Sequence, residues 1–526
     1  MFINYPEYAD LGFTVSSQQM HDWNAEIAKM ERLWYYYNGD ALKEQIGVEV
    51  AQGTEVPLLF PVGLNLVKML CIAQADTIYG EWEDTPIKFG LKQTEEDMVE
   101  FDKQASDILN AILDRSNAET MLWEIALDRE IFGGAAMKIY PDLVEYPRIK
   151  WTRVPRESFF PIWNPFKVDD LLEVYVKIPM SSEQAKILYN VDSKNEIVYR
   201  VEHWTKKIYE NHVDGKRISD LSGQNPWGVV PFVYLPRLRS GSWFGDSMVE
   251  DLIPVQDELN MRIGDVGDAI NYNAHPTRWG INLPRDFNAE NYPLGPNSMW
   301  NLGRTIGSSP PPEVGILEAK SAVQPAVFEH LEFVYDWARF SSFMPPVVFG
   351  EDKGSQRSGD TLEIRMWPLL RAARRSRAYL SVGYKQAARI SATILLQKSF
   401  RDMPVRPLER IRDGRIIPKF HAILPRDQQK AVDEVVKLSS TTPRYISEYT
   451  AQEILGRSPA EVQRIRDENQ DNELFINPIQ KIELKNATDT VKNAEKAAER
   501  AAQSPAEVKQ PAGKGDQKKP EGERNQ

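Results

Sequence analysis

Between Met248 and Ile270 the apolar residues Met248, Leu252, Val255, Leu259, Ile263, Val266 and Ile270 recur at steps of four and three. Glu250, Asp251, Asp257, Glu258, Arg262, Asp265 and Asp268 occupy the positions between them. That spacing predicts an amphipathic helix with one narrow stripe to bury and one side in water. Gly245-Asp246-Ser247 supplies a polar start, whereas Pro254, Gly264 and Gly267 disfavour a regular interior, and Pro254 is expected to bend the first turns.

Asn271-Tyr272-Asn273 closes this pattern, and residues 274–320 are rich in Pro, Gly and Asn around short apolar pieces such as Thr277–Ile281 and Ser298–Leu302. A small loop-rich module with a few strands follows from that composition. A second helix is predicted from Pro325 to Phe340, with Val327, Leu331, Val334 and Ala338 on one face and Pro325 suited to its first turn. The run Gly350 to Gly359 is polar and has no apolar anchor, which predicts a mobile loop. Asp360 and Glu363 then start a third, long helix through Leu362, Met366, Leu369, Ala373, Leu380, Tyr384, Ala387, Ile390 and Ile394. Pro368 inside it is expected to kink it, at a cost of about 3 kcal/mol to a regular helix. Arg365, Arg371, Arg374, Arg375 and Arg377 make one face of this helix basic.

Upstream, helical spacing covers residues 17–38, 63–79, 94–117 and 121–132. The period then changes to two: Ala136–Tyr140, a turn at Pro141-Asp142, and Val144–Val154 predict a β-hairpin. Leu172, Val174, Val176 and Ile178 alternate with Glu173, Tyr175 and Lys177 as a strand, Ile197–Thr205 alternates again, and Asp214-Gly215 offers a hairpin turn. Downstream, residues 411–423 read as strand with a turn at Asp413-Gly414. Three short helices follow at 431–438, 446–455 and 459–468, before a tail of Ala, Lys, Glu, Gln, Pro and Gly that predicts disorder from Ser504. The fold class these elements predict is α+β.

Composition narrows the function. The 526 residues are 42% hydrophobic and 27% charged, with a mean hydropathy of -0.47, values of a soluble globular chain. The net charge of -12 makes the chain a poor clamp for nucleic acid, which needs a basic surface to displace counterions. The same charge suits a channel whose walls do not hold DNA. Cys71 is the single cysteine, so no disulfide forms within the chain, and its apolar neighbours predict a small buried side chain in a reducing compartment. The first residues lack the basic and apolar regions of a signal peptide. Val56–Ile78, the most apolar stretch, is broken by Pro61, Asn65, Lys68 and Asp76, so no membrane span is expected.

Catalytic signals are weak. There is no phosphate-cradling G-x-x-x-x-G-K-[ST], and the six histidines are scattered without metal-ligand spacing. Asp169-Asp170, and Asp265 with Asp268, are carboxylate pairs of the kind a nuclease uses for Mg²⁺. Trp and Tyr content could line the sugar groove of a glycosidase, although nothing selects its two carboxylates. No catalytic residue, metal or cofactor is therefore assigned.

The order helix, compact insert, helix, polar loop and long proline-bearing helix, the last opening Ser358-Gly359-Asp360-Thr361-Leu362, resembles the portal (head-to-tail connector) proteins of tailed double-stranded DNA bacteriophages, in particular the long-tailed, siphovirus-like type. Arg32-Leu33-Trp34-Tyr35-Tyr36-Tyr37-Asn38-Gly39-Asp40 resembles the start of many portal wings, and Asn225-Pro226-Trp227-Gly228-Val229-Val230-Pro231-Phe232-Val233 resembles a phrase found just before the portal stem. The resemblance implies an N-terminal wing at 1–242, stem helices at 243–273 and 321–341 around a clip at 274–320, and a tunnel loop at 342–358. It continues with a kinked wing helix at 359–400, wing strands at 401–424, a helical crown at 425–475 and a tail at 476–526.

It further implies a non-enzymatic homo-oligomeric ring of about twelve subunits at one capsid vertex, assembled in the host cytoplasm, through which double-stranded DNA is packaged and ejected. The implied partners are the terminase large subunit, a head-completion or adaptor protein, and the major capsid and scaffolding proteins, with no membrane. Lys353, Gln356 and Arg357 would line the channel, and Arg365 and Arg371 would face DNA or a neighbouring subunit. Leu252, Val255, Leu259, Ile263, Val266, Leu331 and Val334 would form the stem interface. A carboxylate-based hydrolase, nuclease or glycosidase, and a capsid scaffolding protein that forms no ring remain the other two classes.

Overall fold

The computed structural model of the chain describes residues 17–41, 64–80, 85–91, 99–142, 145–274, 278–283, 310–316, 325–351, 359–397, 400 and 402–423. All of these belong to the first of its two units, Met1–Pro425. The predicted crown and tail, and most of the predicted clip, lie outside the described residues.

Helix α1 (Ser17–Asn38) buries Trp23, Ile27, Met30, Leu33 and Tyr37, the i, i+3, i+4, i+7 stripe of its sequence, and stops at Gly39. Asn65 starts α2 (Leu66–Tyr79) with its side chain, Oδ1 accepting from Lys68 N at 2.9 Å, so the helix begins three residues later than the apolar pattern from Gly63 indicates. Strand β1 (Ile87–Leu91) and helices α3 (Val99–Arg115) and α4 (Ala118–Phe132) follow. The predicted hairpin is present as β2 (Gly134–Pro141) paired antiparallel with β3 (Ile149–Val154), Ala136 opposite Val154 and Tyr140 opposite Lys150, but Pro141 still pairs with Ile149, so the second strand starts five residues later than Val144 and the chain does not turn at Pro141-Asp142.

The alternating stretch at 171–178 lies in β5 (Lys167–Ser181), between β4 (Phe159–Asn164) and β6 (Ile197–Thr205). Its alternation differs from the predicted one at both ends: Ile178 is exposed, and at the start Leu171 is buried and Leu172 is 39% exposed. The cause at the start is a register shift, since Ile162 pairs with Glu173 and Trp163 with Leu171, leaving Leu172 as the extra residue of a bulge that reverses the facing of what precedes it. Tyr175 and Lys177, on the opposite face of the strand, are both buried as well, because that side of the sheet is also covered. Tyr175 meets the ring of Trp23 in α1 edge-on at 5.5 Å.

Helix α5 (Ser182–Tyr189) and strands β7 (Ile208–Val213), β8 (Lys216–Arg217) and β9 (Gly223–Gln224) complete this six-stranded sheet. Strand β10 (Phe232–Pro236) pairs with β2, giving a second sheet of order β10-β2-β3. Between the two sheets Phe159, Val174, Val176, Trp204, Phe232 and Tyr234 form one apolar cluster.

Helix α6 (Met248–Ala274) continues through Pro254. Short strands β11 (Arg278–Ile281) and β12 (Glu313–Ile316) pair antiparallel at the base of the insert. Then come α7 (Pro325–Ser341) and the 37-residue α8 (Gly359–Leu395), which runs through Pro368 without a break. The segment read as strand from Ile411 divides in two. Residues Val405–Asp413 form helix α9, burying Pro407, Leu408 and Ile411, and Gly414 ends it by donating its N–H to Arg410 O rather than turning a hairpin. Only Ile416–Phe420 is a strand, β13, paired with β1.

The C-terminal half of α8 supplies Leu380, Tyr384, Ala387 and Ile394 to a core shared with α2, α3, α4, α9 and the β10-β2-β3 sheet. The first turns of α8 supply Met366 and Leu369 to a second core built from α1, α2, α6 and α7. Three consecutive charged residues of α4 are buried where these cores meet. Asp128 accepts two hydrogen bonds from Arg153 (2.6 and 2.7 Å), Arg129 donates to Pro236 O and to Ser376 Oγ at 2.9 Å, and Glu130 pairs with Arg237 at 2.5 Å. Asp128 and Glu130 are thus paired with cations, Arg129 is hydrogen-bonded to neutral oxygens, and α4 is fixed at once to β3, β10 and α8.

Candidate functional site

The region with functional promise is the shaft made by α6, α7 and the start of α8. Its base is the junction between Gly133, at the end of α4, and Gly245, just before α6. Both are at positive φ (82° and 86°), and a Cβ on either would strike the other's backbone. Arg237 N donates to Gly133 O at 2.8 Å and Ser247 Oγ donates to Ile131 O, so α6 leaves the body in a fixed direction.

The stripe predicted as an interface is placed mostly inside the chain. Leu252, Leu259 and Val334 are buried in one core, and Val255, Ile263 and Leu331 pack on its margin. Val266 is half-buried and Ile270 is 57% exposed, so burial falls along α6 away from the body. The acidic side of α6 is also less wet than its sequence implies. Lys29 of α1 pairs with Glu250 at 2.8 Å and Tyr36 donates to Asp257 at 3.0 Å, because α1 packs along the first half of α6. Farther on, Glu258 accepts from His330 of α7 at 2.9 Å and from Arg262 at 2.8 Å, which holds its carboxyl below the usual range, His330 being the first cause.

Beyond α7 the chain passes Pro346–Phe349 and Gly350 to Glu351. Arg339, nearly buried, lies with its guanidinium 4.4 Å from the ring centre of Tyr335, pairs with Asp336, and donates to Glu351 at 2.6 Å. One arginine thereby ties Glu351 back to α7, and buried Met366 and Leu369 hold the first turns of α8 in the same core. Lys353, Gln356 and Arg357 lie outside the described residues. Sequence reading missed Arg339 and Glu351, whose only trace is a charge at each end of a short apolar connection.

Arg365 and Arg371 are both exposed on α8, with the Arg371 guanidinium 5.1 Å from the ring centre of Trp367. Arg374 and Arg375 are exposed as well, Arg375 lying 5.5 Å from the ring centre of Phe343. Arg377 does not share their face, contrary to the sequence reading. It turns inward, donates to Ile78 O at 2.6 Å, and burial lowers its pKa to about 10.

The carboxylates considered for catalysis are engaged structurally. Asp169 pairs with Arg239 at 2.9 Å, Asp170 with Lys206 at 3.2 Å and with Asn164, and Asp265 with Arg262 at 2.9 Å; the Asp268 side chain lies outside the description. Among the described residues no group of three or more His, Cys, Asp or Glu could hold a metal ion, and no helix is long and apolar enough to cross a membrane. Cys71 is buried, and burial pushes its thiol pKa well up, as suits a packing residue.

Comparison with curated proteins gives no match. The family profile of the phage portal proteins, SPP1 Gp6-like, covers residues 17–473, from α1 past the last described strand, and the chain belongs to that family of structural virion proteins.

Proposed function

We propose that copies of this chain form a ring of about twelve subunits at one capsid vertex and that double-stranded DNA passes through the ring during packaging and ejection. The observation that carries this reading is the succession of α6, the β11–β12 pair, α7 and the long α8 inside the portal-matched span. In this reading α6 and α7 are the stem, the insert at 274–320 is the clip, residues 342–358 are the tunnel loop, and residues 425–475 are the crown. Lys353, Gln356 and Arg357 face the DNA. The net charge of -12 per copy supports a wall that repels the duplex, relieved locally by these side chains.

The clip docks the terminase large subunit and later the head-completion protein, while capsid and scaffolding proteins meet the outer surface. Val255, Ile263, Val266 and Leu331, which keep open surface, are the positions assigned to subunit contact. Leu252, Leu259 and Val334 brace the shaft from inside. Light scattering and negative-stain imaging of the purified chain test the reading: a uniform annulus with a central hole is expected, and a monomer or dimer at every concentration overturns it.

A further inference from the structure

Two helix faces of the shaft are solvent-exposed and opposite in charge. On α7, Glu329, Glu332, Phe333, Asp336, Trp337 and Phe340 follow at steps of three and one and so share a face. Phe333, Trp337 and Phe340 are 57%, 56% and 81% exposed. On α8, Ile364, Trp367, Arg371 and Arg374 follow at steps of three and four, again on one face, with Ile364 73% and Trp367 43% exposed. Arg371 and Arg374 lie 5.1 and 5.9 Å from the ring centre of Trp367. Among the described residues, neither Arg371 nor Arg374 has a carboxylate within ion-pair distance, and neither Glu329 nor Glu332 has a cation. Three acidic residues of α6 are otherwise placed: Glu250 is taken by Lys29, Glu258 by Arg262 and His330, and Asp265 by Arg262.

We infer that the acidic aromatic face of α7 in one copy docks on the basic aromatic face of α8 in the next. This inference rests on the ring reading above and names the contact that closes it. Each face is wrong for itself, since acid would meet acid or arginine would meet arginine, so a two-fold pairing of either face is disfavoured. The two faces suit each other, and a contact between different patches on successive copies is head-to-tail, the kind that closes into a ring. Aromatic residues and arginine at the centre of an exposed patch are the residue types that dominate protein interfaces. The exposed Ile364 and Trp367 distinguish the α8 face from a phosphate-binding surface, for which basic and polar groups suffice.

Two charge-reversed chains test this, Arg371→Glu with Arg374→Glu, and Glu329→Lys with Glu332→Lys, together with the chain that carries all four changes. Far-ultraviolet circular dichroism confirms the fold of each, and light scattering with negative-stain imaging reads assembly. Either pair alone is expected to raise the concentration of half-assembly at least about tenfold, the effect of losing roughly 1.4 kcal/mol, and the four-fold chain to recover most of that loss. If the arginine pair costs helix content, the Arg371→Gln, Arg374→Gln chain replaces it, with the same shift expected. Unchanged assembly of the reversed chains overturns the inference, as does a four-fold chain no better than its parents. Normal rings combined with lost retention of DNA assign the α8 face to DNA and equally overturn it. Absence of any ring from the wild-type chain removes the ring reading itself, an outcome distinct from rings that ignore the substitutions.

Discussion

The side-chain amide of Gln256, in the middle of α6, closes the N-terminus of α2: its Oε1 accepts from Leu66 N at 2.9 Å and from Val67 N at 3.3 Å, while its Nε2 donates to Leu64 O at 2.8 Å. The first N–H groups of any helix have no partner within it. Here a helix 190 residues away in the chain supplies one, in a buried setting where water does not compete. The shaft and the body are therefore joined by a polar contact of fixed geometry as well as by the apolar core.

Gln256→Leu keeps the volume and removes the acceptor. Val67 N then loses its acceptor, while Leu66 N keeps its 2.9 Å bond to Leu64 O, so a loss of about 1–3 kcal/mol in unfolding free energy is expected. Urea denaturation measures it. A midpoint equal to that of the wild-type chain would show that the contact contributes nothing.

Gly245→Ala tests the direction in which α6 leaves the body. A methyl group there would overlap the Gly133 carbonyl, and its backbone is left-handed as well (φ 86°). Neither fault is relieved by a side-chain rotation, because the opposing atoms are backbone. The expected cost exceeds the about 1 kcal/mol of a left-handed alanine alone, and α6 must shift at its first turn. A wild-type melting temperature together with wild-type assembly would refute this account.

Asp128 gives a pH dependence of known sign. Burial between α4 and β3 is the larger influence and pushes its carboxyl up to about 6, against the opposing pull of its two hydrogen bonds from Arg153. The unfolded value is about 3.9, so between these pH values the folded chain holds the proton more tightly. Stability from this group therefore falls as pH rises from about 4 to about 6, by at most roughly 3 kcal/mol, and is level above that. Asp128→Asn carries no such proton. The stability of the wild-type chain relative to Asp128→Asn should decline across this window, and a difference independent of pH would contradict the assignment.

What the sequence discloses is the part of the fold carried by periodicity. The stripes of α1, α6, α7 and α8 and the β2–β3 hairpin are written in residue spacing, as is the ending of α1 at Asn38-Gly39. Spacing does not say which partner covers a stripe. Leu252, Leu259 and Val334 read as a surface for a second copy but lie in one core where α6 and α7 pack together with α1, α2 and the first turns of α8. Leu172 reads as an inward residue until the bulge at Trp163 shifts the register. Arg377 reads as basic surface, and only the placement of Ile78 and Phe420 beside it shows that it points inward. For the candidate site, α6, α7 and α8 are legible but the contact that follows α7 is not, since the charges of Arg339 and Glu351 have no periodic signature.

That contact yields a prediction about the segment that follows α7. Glu351 and Asp336 share the Arg339 guanidinium, with Glu351 at 2.6 Å. Glu351→Gln removes one charge of the trio while Asp336 still neutralises the arginine, so the shaft core should keep its stability. The bond from Arg339 to residue 351 loses its charge assistance, about 1 kcal/mol, and local opening after Phe349 becomes about fivefold more frequent. The amides of Gly350 and Glu351 donate to Val347 O at 3.1 Å and to Pro346 O at 3.2 Å, so their hydrogen exchange under native conditions reads that opening directly. Faster exchange of these two amides with an unchanged urea midpoint is the expected result. Equal exchange rates in the two chains would mean that the contact between Arg339 and Glu351 does not hold this segment.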